Sequence, residues 1–244
     1  MMIKINMDQE IESKFDIPNK VSDKTVMDEL ERLSKLHGFI LQEWKLEHRK
    51  FLYYDTPNFD LYKKGETIRR VSGFEDISKG LFRYDLKKGP IEDRYESNYW
   101  SNNELSAEQI LDILRAYEYS KIILVASANT KHYKAMLHKN GTILEASLDL
   151  FDIEEFEKPL ENSQTPHKIA LNIAQKGGYS KPSIEEGSSF RELEIEFKEG
   201  NCELLRNLSY DVKFEIGLKS SNKQKYARVI ESMQKYKKVL NPDF

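Results

Sequence analysis

Polar and apolar residues alternate along much of this chain, and strict alternation marks a strand with two unlike faces. In Glu10-Ile11-Glu12-Ser13-Lys14-Phe15 the charged set is Glu10, Glu12 and Lys14, with Ile11 and Phe15 on the other face. Residues 82–87 set Arg83, Asp85 and Lys87 against Phe82, Tyr84 and Leu86, and 144–150 place Glu145, Ser147 and Asp149 together. Residues 192–198 set Glu192, Glu194, Glu196 and Lys198 against Leu193, Ile195 and Phe197. Arg94 and Glu96 share a face near 92–99, and Arg69 lies in Thr67-Ile68-Arg69-Arg70-Val71.

The period changes to that of a helix in four places. Val26, Leu30, Leu33 and Leu36 fall on one side of 22–37, and Gly38 stops that helix. Ser106 and Gln109 form a capping box ahead of Ile110, Leu111, Ile113, Leu114 and Tyr117. Thr165-Pro166 opens a third helix with Ile169, Ala170, Ile173 and Ala174 inward, closed by Gly177-Gly178. A last one, at about 223–240, carries Val229, Ile230, Met233 and Tyr236 before Pro242. The stretch 155–190 is rich in Glu, Ser, Lys, Pro and Gly and reads as an insertion in a single domain spanning 1–244.

Composition narrows the setting. At 244 residues the chain can bury a sizeable core, and 39% hydrophobic with 32% charged is globular. A net charge of −3 gives no basic surface for general nucleic-acid or anionic-membrane binding. A single cysteine, Cys202, excludes an intrachain disulfide and fits a reducing compartment, and no run is apolar enough to span a bilayer. The expectation is a cytoplasmic protein, monomer or homodimer. The five histidines show no metal-ligand spacing, and no phosphate-cradling glycine loop is present.

Any one of these strands alone reads as part of an antiparallel sheet with one face in water. Together their charged faces are unusual, because paired carboxylates at close range repel unless a cation lies between them. Turning those faces inward, around a polar lumen that holds a counter-ion and with helices over the apolar outside, gives the clusters a use.

The residues that carry this pattern also resemble a family. Glu10-x-Glu12-x-Lys14 resembles the signature of the triphosphate tunnel metalloenzymes, or CYTH superfamily, which includes class IV adenylate cyclases and several triphosphatases. Tyr54-Asp55-Thr56-Pro57-x-x-x-Leu61, Thr67-Ile68-Arg69, Leu86-Lys87-x-Gly89, Arg94-x-Glu96, Ser147-Leu148-Asp149 and Glu192-Leu193-Glu194-Ile195-Glu196-Phe197-x-x-Gly200 resemble its later elements in order. The resemblance implies an α+β fold: an eight-stranded antiparallel β-barrel, the triphosphate tunnel, with helices packed outside. It implies Glu10, Glu12, Glu96, Asp149, Glu192 and Glu194 on a metal side, with Glu196 the alternative to Glu192 if the register shifts by two. Lys14, Arg69, Lys87, Arg94, Lys131 and Lys225 would hold the substrate, with Lys225 preferred over Lys223. Glu10, Glu12, Lys87 and Arg94 would carry the catalysis. Two positions depart from the family pattern: Val71 stands where a second arginine is usual, and the basic strand after the middle helix begins Ser127-Ala128-Asn129.

The implied cofactor is Mg²⁺ or Mn²⁺, which prefer carboxylate and water oxygens. The implied activity is hydrolysis of a small triphosphate, inorganic, thiamine or nucleoside. A class IV-type cyclase and a non-catalytic polyphosphate or nucleotide binder remain the alternatives.

Overall fold

The computed structural model describes residues 8–73, 80–89, 94–154 and 189–240. Eleven strands form one sheet: β1 (Asp8–Glu10), β2 (Glu12–Asp16), β3 (Ile40–Leu41), β4 (Lys45–Asp55), β5 (Thr67–Gly73), β6 (Phe82–Lys88), β7 (Arg94–Ser101), β8 (Ile123–Lys139), β9 (Thr142–Glu154), β10 (Ser189–Glu199) and β11 (Lys219–Ser220). Among the described residues five helices accompany them: α1 (Asp23–Leu36), α2 (Asp60–Lys64), α3 (Ala107–Ile113), α4 (Glu203–Glu215) and α5 (Lys225–Leu240). The insertion expected at 155–190, with its helix, lies outside the described residues except for Ser189 and Phe190, which belong to β10.

Every pairing is antiparallel, in the order β1-β7-β6-β5-β4-β8-β9-β10-β2-β11, with β3 beside β8. The path is open, and the closed eight-stranded ring is not its hydrogen-bond order. Its two ends nevertheless belong to one stretch of chain. β1 pairs with β7 and β2 with β10, and Ile11 alone divides them, its carbonyl accepting from the Phe197 amide at 2.8 Å.

The registers sort each strand's residues into an inner and an outer face. Outward residues of β2, β8, β9 and β10 (Phe15, Leu137, Leu148, Leu193, Ile195) bury against Val26, Leu30 and Leu33 of α1 and Leu205, Leu208 and Val212 of α4. Ser22 caps α1 by accepting from the Thr25 amide at 3.0 Å. A second outer cluster joins Leu52, Ile68, Tyr84 and Leu86 to Ile110 and Leu111 of α3. The expected capping box opens α3, Ser106 and Gln109 each accepting from the other's amide.

The third cluster lies on the opposite, inner face. Phe51, Tyr53, Ala126, Ala128, Phe151 and Ile153 point there and meet Tyr226, Val229 and Ile230 of α5. One end of the interior is thus packed with apolar side chains, and the rest is left polar. Gly200 permits the return from β10 toward α4: its φ is +97°, and a Cβ there would stand 2.6 Å from Thr142 Cα.

Asp55, fully buried at the end of β4, fixes α5 in place. Its Oδ1 accepts from the Thr56 and Leu61 amides at 2.6 and 2.9 Å. Its Oδ2 accepts from the Tyr62 amide at 3.0 Å and from the Tyr226 hydroxyl at 2.6 Å. One carboxylate therefore organises the start of α2 and holds the first turn of α5 against the sheet. Asp55→Ala should destabilise the fold by about 3 kcal/mol or more, because several buried donors lose a charged acceptor. Tyr226→Phe should cost about 1–3 kcal/mol. Urea unfolding measures both, and equal stability of the three proteins would contradict this role.

Candidate functional site

Period-two patterning on strands that curve around a common interior brings their inner-face side chains to one place. The result is a cavity of about 350 Å³, lined from β2 and β4 to β10 and from the first turn of α5. Most of its lining residues are charged.

On one side Asp149, Glu192 and Glu194 converge, each with a carboxylate oxygen within 4.8 Å of the others. In-register pairing sets Glu192 beside Asp149, and Glu194 is two residues along the same face of β10. Lys225 Nζ lies 2.7 Å from Asp149, 2.6 Å from Glu194 and 3.1 Å from Glu192. Lys14 reaches Glu12 at 2.7 Å and Glu194 at 3.1 Å, so Lys14 supplies the cation that Glu12 needs. Arg228, three residues from Lys225 on α5, reaches Glu192 at 2.6 Å and Asp16 at 2.9 Å. His132 Nδ1 is 2.6 Å from Asp149 Oδ1.

On the other side stand Arg69, Arg83 and Lys87. Arg69 and Arg83 share Asp85 at 2.8 and 2.9 Å, and Lys87 pairs with Glu96 at 3.0 Å. Asn98, with its amide nitrogen turned toward the acids, donates to Glu96 at 3.0 Å and Asp85 at 2.6 Å. A third group lies toward the far ends of β8 to β10, where Lys134 meets Glu145 at 2.5 Å and Lys198 meets Glu196 at 2.6 Å.

Burial and charge pull the acids apart. Burial acts to raise all of them, because it penalises the charged form. At Asp149 the pull of Lys225 and the His132 hydrogen bond outweighs it, and at Glu194 Lys14 and Lys225 do so more strongly, so both carboxyls sit below their ordinary range. At Glu192 burial wins, with Glu194 adding to it, and its pKa is pushed up to about 7. Lys225 is held well above the usual lysine value by its three acids, against the effect of burial.

Most of the expected site residues meet here. Glu12, Lys14, Arg69, Lys87, Glu96, Asp149, Glu192, Glu194 and Lys225 all take part in the ionic network. Glu10 and Arg94 pair in backbone register, and their side chains lie outside the described residues. Lys131 does not join the others. It is exposed, and the inner positions of β8 fall to His132 and Lys134. Val71 faces inward into the apolar cluster around Phe51. Arg70 has the outer parity, packed over Phe82 and paired with Glu104. Asp85, Arg83, His132, Lys134, Glu145 and Arg228 were not anticipated as site residues. Asp85 and Arg83 share the face of Lys87, and that parity was the signal for them.

No family model and no curated protein matches the chain by sequence. Solved structures do match it in fold. A Hippeastrum protein, described as an adenylyl cyclase candidate with a dominant triphosphatase activity, is 16% identical. That match covers 91% of this chain and 95% of the other, with a TM-score of 0.53. An adenylate cyclase candidate from Bacillus halodurans is 15% identical over 88% and 94% of the two chains, with a TM-score of 0.49. The likeness to the Hippeastrum protein is one of fold.

The site makes Glu192 a test of its own electrostatics. Its pKa is raised on folding, so it favours the folded state at pH below about 4.3, its unfolded value, and that contribution is lost as pH rises through about 7. Glu192→Gln mimics the protonated acid. In chelator it should raise the melting temperature at pH 8 and leave it near wild type at pH 5. The same shift at both values would contradict the raised pKa.

Proposed function

We propose that this protein is a divalent-metal-dependent triphosphatase acting on a small triphosphate inside a charged tunnel. The observation that carries the reading is one cavity lined by Asp149 and Glu194, with Glu192 buried against them, and by the cations Arg69, Arg83 and Lys87. A metal-bound polyphosphate is both cationic and anionic, and it needs both walls at once.

The strand path also supports the tunnel. With β1 and β2 taken as one strand, residues 8–16 would join β7 to β10 and leave eight strands around the cavity.

Three carboxylate oxygens and no sulfur donor suit a hard cation such as Mg²⁺ or Mn²⁺, so the residues present fit the metal that the family resemblance implies. Such an ion supplies charge neutralisation and Lewis acidity. Asp149, Glu192 and Glu194 would hold it, with Glu12 close by. Arg69, Lys87 and Lys14 bind and orient the phosphate oxygens, releasing Asp85, Glu96 and Glu12 from some of their present ion pairs. Charge-assisted donors of this kind stabilise the charge that develops on the leaving phosphate. In the reaction, water oxygen bonds to the terminal phosphorus and the bridging P–O bond breaks. Orthophosphate and the shortened phosphate leave, and one proton is released.

The test is a panel of tripolyphosphate, thiamine triphosphate and nucleoside triphosphates, assayed for phosphate, pyrophosphate and cyclic nucleotide with Mg²⁺, Mn²⁺, Ca²⁺ or chelator. Orthophosphate should form with Mg²⁺ or Mn²⁺ and be lost with Ca²⁺ or chelator. Cyclic nucleotide with pyrophosphate would mean a cyclase, and no product from any substrate would mean a binder. Arg69→Ala in the same assay should lower kcat/KM about ten- to a hundredfold, as expected for one charged contact of about 1.5–3 kcal/mol. Arg70→Ala should lower stability and leave the turnover of the folded protein near wild type. Equal small effects on turnover would remove Arg69 from the site.

A further inference from the structure

The three carboxylates suited to a divalent cation already share one ammonium group from the protein itself. Lys225 Nζ touches Asp149, Glu192 and Glu194 at 2.6–3.1 Å, so it stands among the same oxygens that a metal would take. Mg²⁺ or Mn²⁺ bonded to those oxygens at about 2.0–2.2 Å leaves no room for an ammonium hydrogen-bonded to the same three. Two cations at that spacing also repel. Occupancy by one excludes the other.

We propose that Lys225 is a resident counter-ion exchanged for the divalent cation: metal entry expels its ammonium from the acid cluster and turns it toward the phosphate chain of the substrate. The inference rests on the metal-dependent reading above and adds to it an order of events and a determinant of metal affinity.

The surroundings of Lys225 suit an exchange confined to one side chain. On its N-terminal side Gln224 donates to the Gly65 carbonyl and accepts from the Thr67 hydroxyl at 2.9 Å. On its C-terminal side Tyr226 is tied to Asp55. The backbone is therefore held at both neighbours, and the flexible four-carbon stem is what carries the charge from one position to the other. The cluster also loses little on exchange, because one buried cation replaces another and the acids are never left uncompensated. An anion that arrives with the metal gives the released ammonium a new partner within the same cavity. Lys225 thus links the two walls: it neutralises the acids in the absence of metal and adds to the basic set in its presence.

The exchange makes Lys225 an antagonist of metal binding. Removing its charge should tighten metal binding in the absence of substrate, although Lys225 lies on the substrate side of the proposed chemistry. A residue that merely helped to build the metal site would have the opposite effect.

The experiment titrates wild type, Lys225→Met and Lys223→Met with Mn²⁺ alone by calorimetry, with melting temperatures taken in chelator and in Mn²⁺. Lys223, exposed and paired with Glu231, is the control. Lys225→Met should bind Mn²⁺ about tenfold more tightly or better, a typical coupling between competing ligands, while Lys223→Met matches wild type. In chelator Lys225→Met should melt lower than wild type and recover more on adding Mn²⁺. If Lys225→Met folds only with Mn²⁺, that dependence supports the exchange, and Lys225→Gln is then used for the affinity comparison. Mn²⁺ binding to wild type with equal or weaker binding to both Lys225 variants would overturn the exchange and leave the metal site standing. No binding to any of the proteins would remove the metal site and the exchange together.

Discussion

A charge taken out of water costs several kcal/mol unless an opposite charge meets it, and that constraint governs the interior of this protein. The carboxylates, lysines and arginines in and behind its cavity wall are matched locally: Lys225 with Asp149, Glu192 and Glu194, Lys14 with Glu12, Arg228 with Glu192, Arg69 and Arg83 with Asp85, and Lys87 with Glu96. The matching crosses strands that are distant in sequence, so the network is also a statement of tertiary register. Asp85 reaches Arg69 only because β5 and β6 pair at those two residues.

The rest of the fold serves to hold this ionic wall away from bulk water. α1, α4 and α3 cover the outer face with apolar side chains, which frees the inner face to be polar. α5 closes part of the inner face with Tyr226, Val229 and Ile230, and the same helix delivers Lys225 and Arg228 to the acids. Asp55 connects these two tasks, because its hydrogen bond to Tyr226 sets where the first turn of α5 stands. A hydrogen bond on the apolar side of α5 thereby positions the ammonium on its ionic side.

The alternation of charged and apolar residues made the two faces of most strands legible in the sequence. Arg69 inward and Arg70 outward follow from parity alone, and the structure agrees. Parity failed on β8, where 129–134 reads Asn-Thr-Lys-His-Tyr-Lys with no clean alternation, and Lys131 was placed inside where His132 and Lys134 stand. α4 was missed although Leu205, Leu208 and Val212 have helical spacing, because the cap residue is Cys202, which makes no side-chain capping bond. The role of Asp85 was hidden for a different reason. A single strand shows which way a carboxylate points, but its partner depends on the neighbouring strand. Lys225 as the occupant of the acid cluster was hidden in the same way, since α5 meets Asp149 only through the fold.

An interior compensated in this way has a consequence for what it can admit. A divalent cation alone, or a polyphosphate alone, breaks internal ion pairs and leaves charge behind, whereas the two together replace the broken pairs on both walls. The direct measurement is thermal stabilisation of the protein by Mn²⁺, by a non-hydrolysable triphosphate, and by both at the same concentrations. The account predicts that the combination raises the melting temperature by clearly more than the sum of the separate shifts. Shifts that merely add, or full stabilisation by either component alone, would contradict it.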